Sequence, residues 1–298
     1  MLDTPDDGGP GPLVSVVMPM LDGATTVAAQ LEALAAQDFD EPWELVVADN
    51  GSNDTGPAIV EEWRIRLPSL TVVDASAHRG VSHARSSGVR AARADLIAIC
   101  DCDDVVSTRW LRSMYDALQH FDVVGGRLDP DLLNDEWSLA GRPTPAQSEL
   151  PVAGHFLPYA VGANVGIRRE VFDALGGWSN AYLHGGDDVD FSWRAQLEGF
   201  ALGYGADAVI HYRHRSDLAA VGRQYYRYAV MQAQLYRDFR AAGMQRPNTR
   251  TVVLGWLWLL HHLPDLWGSR DRTVIWVRKA AERFGHVAGS IRSRILYL

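Results

Sequence analysis

Positive charge is scarce in this chain. Its 298 residues carry 28 Lys and Arg against 37 Asp and Glu, a formal charge of −9. That balance argues against general nucleic-acid binding, which favours a basic footprint, and no nucleic-acid partner is expected. Cysteine is scarcer still. Cys100 and Cys102 stand two apart at the end of one apolar run, a poor spacing for a disulfide, so a reduced, cytoplasmic chain is expected. A Cys-x-Cys metal site would need a second ligand pair, and none follows. Long apolar runs are also missing, since no stretch reaches the 18 or so residues of a spanning helix. The first twelve residues, MLDTPDDGGPGP, have neither a positive n-region nor an apolar h-region. They are expected to form a flexible leader.

What remains is an ordinary globular balance, 47% apolar and 22% charged, enough for one large domain or two smaller ones. Apolar runs at Leu13–Pro19, Glu44–Asp49, Leu70–Asp74 and Asp95–Ile99 alternate with helix-like spacing at Thr25–Ala36, Ala58–Leu67 and Val81–Arg93. Alternation of this kind predicts βαβ units, a mostly parallel sheet and an α/β fold class. Ligands in such sheets bind beyond the carboxyl ends of the strands. Three strand ends then share one edge: Pro19 with Asp22, Asp49 with the turn Asn50-Gly51-Ser52-Asn53-Asp54, and Asp101-Cys102-Asp103-Asp104. From Leu128 to Leu157 prolines break the pattern, and a loop-rich connector or lid is expected. Beyond it, Gly162–Arg169 reads as a strand and Glu170–Leu175 as a helix. A further helix opens at Asp187-Asp188.

Crowded carboxylates at a strand end repel, and a proton, a basic partner or a cation must offset that. In extended chain Asp101 and Asp103 point the same way, which suits a hard cation with oxygen ligands, Mg²⁺ or Mn²⁺. The alternative is an acidic loop capping the next helix. Asp187 and Asp188 at a helix start are either caps favoured by the dipole or a general base for an attacking hydroxyl. Arg79 and Arg85 are candidates for phosphate or nucleotide contact, while Arg90 and Arg93 read as a solvated face. His211 is either structural or a third metal ligand. Gln224, Arg227 and Tyr228 share one helical turn, for packing or for contact with a diphosphate or acceptor. The last residues hold a broken apolar stretch, Val252–Trp267, and a basic helical pattern from Asp271 to Leu298. Such a segment lies on an anionic membrane surface, or packs on the domain or a second subunit.

In this order the pieces resemble the family 2 glycosyltransferases, from about Leu13 to Tyr228. VSVVMPMLDGATTVAAQLEAL is similar to the family's opening strand and helix, where Pro19 and a following polar residue, here Asp22, would meet the nucleotide. LVVADNGSND resembles its uracil- or ribose-contacting turn, carried to Asp49 with Asn50, Ser52 and Asp54. RGVSHARSSGVRAARADLIAICDCDD resembles the block that binds metal and diphosphate. That carries Asp101 and Asp103, with Asp104 adjacent, and nucleotide contact by Arg85. GGDDVDFSWRAQ resembles the acceptor motif beginning at Gly186, whose second acid, Asp188, would be the base beside Asp187. QYYRY resembles a Gln-x-x-Arg-Trp motif with Tyr228 for Trp. Ser86 replaces the usual Asn, and Asp187 the usual Glu.

The resemblance implies a GT-A fold, a nucleotide-sugar donor (UDP-sugars by family habit), a divalent cation and an inverting displacement. The expected division is a GT-A domain over 13–228, with a nucleotide half at 13–125 and an acceptor half at 126–228, then a helical extension over 229–298. The expected acceptor is an envelope glycan or a lipid-linked carrier, met at the inner face of the plasma membrane, and a homodimer stays open. A nucleotidyltransferase would want a Gly-rich, Lys- or Arg-bearing loop after the first strand, which MPMLDGATT lacks. A non-catalytic nucleotide or glycan binder and a purely structural surface protein also compete with the transferase reading.

Overall fold

The computed structural model describes residues 11–67, 69–143, 148–183 and 185–298. Most of the expected leader, and Pro145 of the connector, lie outside them. Strand β1 (Val14–Met20) is buried at all seven positions, as an apolar run in the middle of a two-sided sheet must be. Helix α1 (Val27–Ala35) turns Val27, Leu31 and Leu34 to the core, and β2 (Trp43–Asp49) follows. The second helical stretch is shorter than its periodicity suggests. Helix α2 (Gly56–Glu62) gives way to a 3₁₀ turn at Trp63–Ile65. Then come β3 (Leu70–Asp74), α3 (Val81–Ala91), β4 (Leu96–Cys100), a two-residue β5 (Val105–Val106) and α4 (Trp110–Leu118).

The later elements are β6 (Val123–Asp129), a single turn α5 (Glu136–Leu139), β7 (Asn164–Arg168), α6 (Arg169–Leu175), α7 (Asp187–Leu197) and β8 (Leu202–His211). Three helices close the chain, α8 (Leu218–Phe239), α9 (Thr249–His261) and α10 (Arg270–Ser293). Helix α8 runs through position 228 without a break.

The strands form one sheet in the order β3-β2-β1-β4-β7-β6-β8-β5. The first four are parallel, so the ends of β1, β2 and β4 do share one edge. The sheet is mixed, but parallel pairs predominate, because β6 also runs parallel to β8. Strand β7 runs antiparallel between β4 and β6, and β5 pairs antiparallel with β8. The pairing of Cys100 with Asn164 sets the mouth of β4 beside the start of β7. Helix α3 lies close on the sheet because it carries Gly88, where a Cβ would stand 2.4 Å from Val17 Cγ1. Helix α10 approaches α8 in the same way. A Cβ at Gly285 would lie 2.5 Å from the carbonyl oxygen of Tyr226, and one at Gly289 2.6 Å from that of Val230.

Candidate active site

Strand β4 ends at Cys100, and the next four residues turn rather than extend. The carboxylates therefore converge through a turn, and not through the alternation of an extended strand. One oxygen from each of Asp101, Asp103 and Asp104 lies within 4.8 Å of the others. Two side chains that sequence reading passed over pin this turn. Gln30, fully buried on α1, donates to the carbonyl of Asp101 at 2.9 Å and accepts from the amide of Val106 at 2.9 Å. Arg213, just past β8, donates its amide to Asp104 Oδ1 at 2.7 Å and its Nε to the carbonyl of Asp103 at 2.9 Å.

The three acids are not equivalent. Asp101 and Asp103 are partly open, while Asp104 is 1% exposed and its second oxygen has no partner among the described residues. Burial, and then the charges of Asp101 and Asp103, push Asp104 up to about 9. Burial also raises Asp101, against the pull of Arg85. Two open carboxylates and one buried orphan oxygen make a donor set that fits a hard divalent cation. His211 lies outside this group. Its Nδ1 is 3.7 Å from Asp129 Oδ2, and its backbone pairs with Val105. His214, three residues on, lines the same cavity as Asp101 and Asp103. Burial and the charge of Arg142 lower it to about 4, so the ring is neutral.

At the start of α7, Gly186 has φ +84° and leads the chain into Asp187 and Asp188. Asp188 Oδ2 accepts from the amide of Gly162 at 3.1 Å, and Oδ1 from the amide of Val189 at 2.9 Å. Burial, and then the charge of Asp187, raise it to about 6. Arg85, expected at the nucleotide, bridges the two acidic groups. Its guanidinium is 4% exposed and reaches Asp187 at 2.8 Å and Asp101 at 3.1 Å. Burial works against its charge, yet Asp101, Asp187 and Asp188 raise its pKa overall. Room for the bridge comes from Gly162, where a Cβ would sit 2.5 Å from Arg85 Nη1.

Two cavities meet here. One, of about 630 Å³, is lined by Pro19, Asp22, Asn50, Asp101, Asp103 and His214 among others. The other, of about 700 Å³, holds Asp187, Asp188, Gly186, Tyr159, Gln224, Arg227 and Tyr228. Val81, Asp101, Arg215 and Ala220 line both. Gln224 Nε2 donates to Tyr228 Oη at 2.9 Å, which fixes that pair on the second cavity's wall.

Several expected nucleotide residues also hold loops together. Asn50 is buried and bonds the carbonyls of Ala75 and His78 and the amide of Gly80. Asp22 Oδ1 accepts from the amide of Asn53, and Asp54 from the amides of Ala24 and Gly56. Ser52 donates to Asp49 and accepts from the amide of Asp22. Asp49 keeps its second oxygen outside that bond. Arg79 is exposed and lines neither cavity.

The family model described as "Glycosyl transferase family 2" matches residues 15–176, more than half of the chain. The chain belongs to glycosyl transferase family 2. A second model, "Glycosyl transferase family group 2", matches residues 96–277. Among curated relatives, the glycosyltransferase AglE of Haloferax volcanii is 23% identical over 201 residues, 66% of each chain. The succinoglycan biosynthesis protein ExoO of Rhizobium meliloti is 33% identical over 162 residues, covering 53% of this chain and 44% of its own. The chondroitin synthase of Pasteurella multocida is 25% identical over 62% of this chain and 23% of its own. The match thus spans less than two thirds of these relatives' lengths. Among solved structures, the mannosyltransferase PcManGT of Pyrobaculum calidifontis, in complex with GDP-Man and Mn²⁺, superposes with a TM-score of 0.61 at 19% identity, covering 96% and 90% of the two chains. S. aureus TarS 1-349 in complex with UDP gives 0.55 at 18% identity, over 96% and 93%. At these identities the likeness carries the fold alone, and the fold is the GT-A fold of such enzymes.

Proposed function

We propose that this family 2 glycosyltransferase moves a sugar from a nucleotide-diphosphate donor to an acceptor hydroxyl with inversion at the anomeric carbon. The observation that carries this reading is one line of charge, from partly open Asp101 through buried Arg85 to buried Asp187, with Asp188 beside it, set where two cavities share a wall. The smaller cavity suits the donor. Asp101 and Asp103, with Asp104 behind them, would hold a divalent cation, Mn²⁺ or Mg²⁺. When bound, that cation supplies positive charge to the departing diphosphate.

The larger cavity suits the acceptor. Asp188 is ionised above about pH 6, so it accepts the acceptor's proton as the oxygen attacks. The two backbone amides on Asp188 fix the direction of its free lone pairs. Arg85 holds Asp187 and Asp101 apart and oriented, so it acts as a positioning residue and not as a contact to the nucleotide. Tyr159, Tyr228 and Gln224 give the acceptor a wall of rings and amides of the kind sugars pack on. UDP is the favoured donor base, since TarS binds UDP and ExoO is named for polysaccharide biosynthesis. GDP stays open through PcManGT. The acceptor class in this reading is an envelope glycan or its lipid carrier, met at the cytoplasmic membrane face.

Thermal stability against UDP, GDP and their sugars, with and without Mn²⁺, tests the reading on the wild type and Asp103→Ala. A nucleotide at a hundred times its Kd adds about 2.7 kcal/mol. The expected result is a Mn²⁺-dependent rise with one base class, absent in Asp103→Ala. A rise that ignores Mn²⁺ and survives the substitution overturns the cation assignment, and no rise with any nucleotide overturns the donor cavity.

A further inference from the structure

The C-terminal helices leave one apolar face uncovered. Helix α9 reads TRTVVLGWLWLLH and buries one residue, Leu259. Its inner side rests on α10 through specific contacts. Trp276 donates its indole N–H to the carbonyl of Leu259 at 3.1 Å, Lys279 lies 4.8 Å over the Trp258 ring, and Trp256 meets Phe284 edge-on. The opposite side carries Val253, Leu254, Leu257 and Leu260, between 51% and 71% exposed. These positions recur at the three- and four-residue steps of one helical stripe. Past the helix, Leu263 and Trp267 continue the patch, Trp267 at 80% exposed. A chain that can bury such residues normally does, and an apolar patch of this extent marks an interaction surface.

Charge decides what covers it. Residues 240–298 hold ten Lys and Arg against three Asp and Glu, in a protein whose formal charge is −9. A net positive balance is therefore found in this segment, while the remainder, with 18 Lys and Arg against 34 Asp and Glu, is strongly acidic. Arg246 and Arg250 stand exposed at the start of α9, and Arg272, Arg292 and Arg294 are exposed on the neighbouring stretch. None of these five is paired with a carboxylate among the described residues. A second copy docked face to face would set this positive segment against itself. No helix among the described residues is long and apolar enough to cross a membrane, and α9 spans 13 residues, which suits lying in an interface and not traversing it.

We propose that α9 and the Leu263–Trp267 turn seat the protein on an anionic lipid surface. The stripe Val253, Leu254, Leu257 and Leu260 enters the acyl boundary, and Arg246, Arg250 and Arg272 meet the lipid phosphates. Apolar burial plus attraction to anionic headgroups is how an interfacial helix binds, and each basic side chain near such a surface is worth about fivefold in partitioning. Helix α10 connects this seat to the body by its close packing on α8, whose other side supplies Gln224 and Tyr228 to the larger cavity.

Vesicle co-sedimentation of the full chain tests this without any turnover, so it stands or falls apart from the transferase reading. The lipids are phosphatidylcholine with phosphatidylglycerol, and phosphatidylcholine alone. The expected result is binding to the anionic vesicles that weakens with salt, with little on the neutral ones. Leu254→Glu with Leu257→Glu should abolish it at an unchanged melting temperature, since both side chains are exposed. Arg246→Gln with Arg250→Gln should lower partitioning by roughly 25-fold. Equal binding to both vesicle types, no binding at low salt, or a double-Glu variant that still binds overturns the proposal. So does a solution dimer that the double-Glu variant dissolves, which gives the face to a second copy.

Discussion

Asp187 and Asp188 differ by one position and are held in different ways. Asp187 faces Arg85 and is 4% exposed. Asp188 accepts two backbone amides and lies open to the larger cavity. Because burial and Asp187 raise Asp188 to about 6, kcat/KM should climb with pH through about 6 and level off above it. Asp187→Asn removes the charge that holds Asp188 up and leaves Arg85 with one fewer carboxylate to face. The acid limb should therefore move to lower pH. Asp188→Asn should cost on the order of 10²–10⁴ in kcat. A limb that stays at the same pH in Asp187→Asn removes Asp188 as the titrating base. The acid pair was legible in the sequence because two acids after two glycines at a helix start is a compact local pattern. Arg85's partners were not legible, since Asp187 lies 102 residues away and no local spacing reports that. The same holds for Gln30, an amide on an apolar helical face that reads as an ordinary polar position until the acidic turn is packed over it.

At the scale of elements, the parallel half of the sheet was readable because each strand there is a short apolar run ended by Pro, Asp or Asn-Gly. Strand β7 was readable within Gly162–Arg169, but its antiparallel place between β4 and β6 was not, and β6 itself was missed. Strand β6 reads Val-Val-Gly-Gly-Arg-Leu-Asp, and its glycines dilute the β pattern. Those glycines are required by contact across the sheet: a Cβ at Gly126 would stand 2.3 Å from Asn164 Nδ2. The helical extension follows the same logic. Gly285 and Gly289 lie four apart on α10 and let its backbone press against that of α8. Gly289→Val puts a branched side chain where a single Cβ already sits 2.6 Å from the carbonyl of Val230. We expect a loss of about 1–3 kcal/mol, the usual cost of overpacking, read as a lower urea midpoint with little change in slope. An unchanged midpoint would show that α10 does not dock on α8 in this register.

For the whole molecule, the buried acids set how stability follows pH. Asp104 keeps its proton to about pH 9 in the folded chain, against an ordinary value of 3.8. Between those values the folded state binds more protons than the unfolded one, so stability falls as pH rises. One such group gives a slope of up to about 1.4 kcal/mol per pH unit. That is the reverse of the common case, in which a salt-bridged carboxylate makes the fold safer above pH 5. In the proposed reading a divalent cation on Asp101, Asp103 and Asp104 would replace the proton, and its binding would strengthen as the ligands ionise. The protein freed of metal should thus melt lower at pH 8.5 than at pH 6, by chemical or thermal unfolding. Added Mn²⁺ should raise the melting point most at the alkaline end and flatten the profile. Asp104→Asn keeps the shape without the charge, so its metal-free profile should already be flat and its response to Mn²⁺ reduced. If the wild type shows no alkaline weakening, Asp104 is not the buried acid its surroundings make it. If it weakens and Mn²⁺ does not restore it, the acidic turn is offset by protons alone, and the proposed donor's diphosphate would need positive charge from elsewhere, with Arg213 and Arg215 on the wall of the smaller cavity the groups in reach.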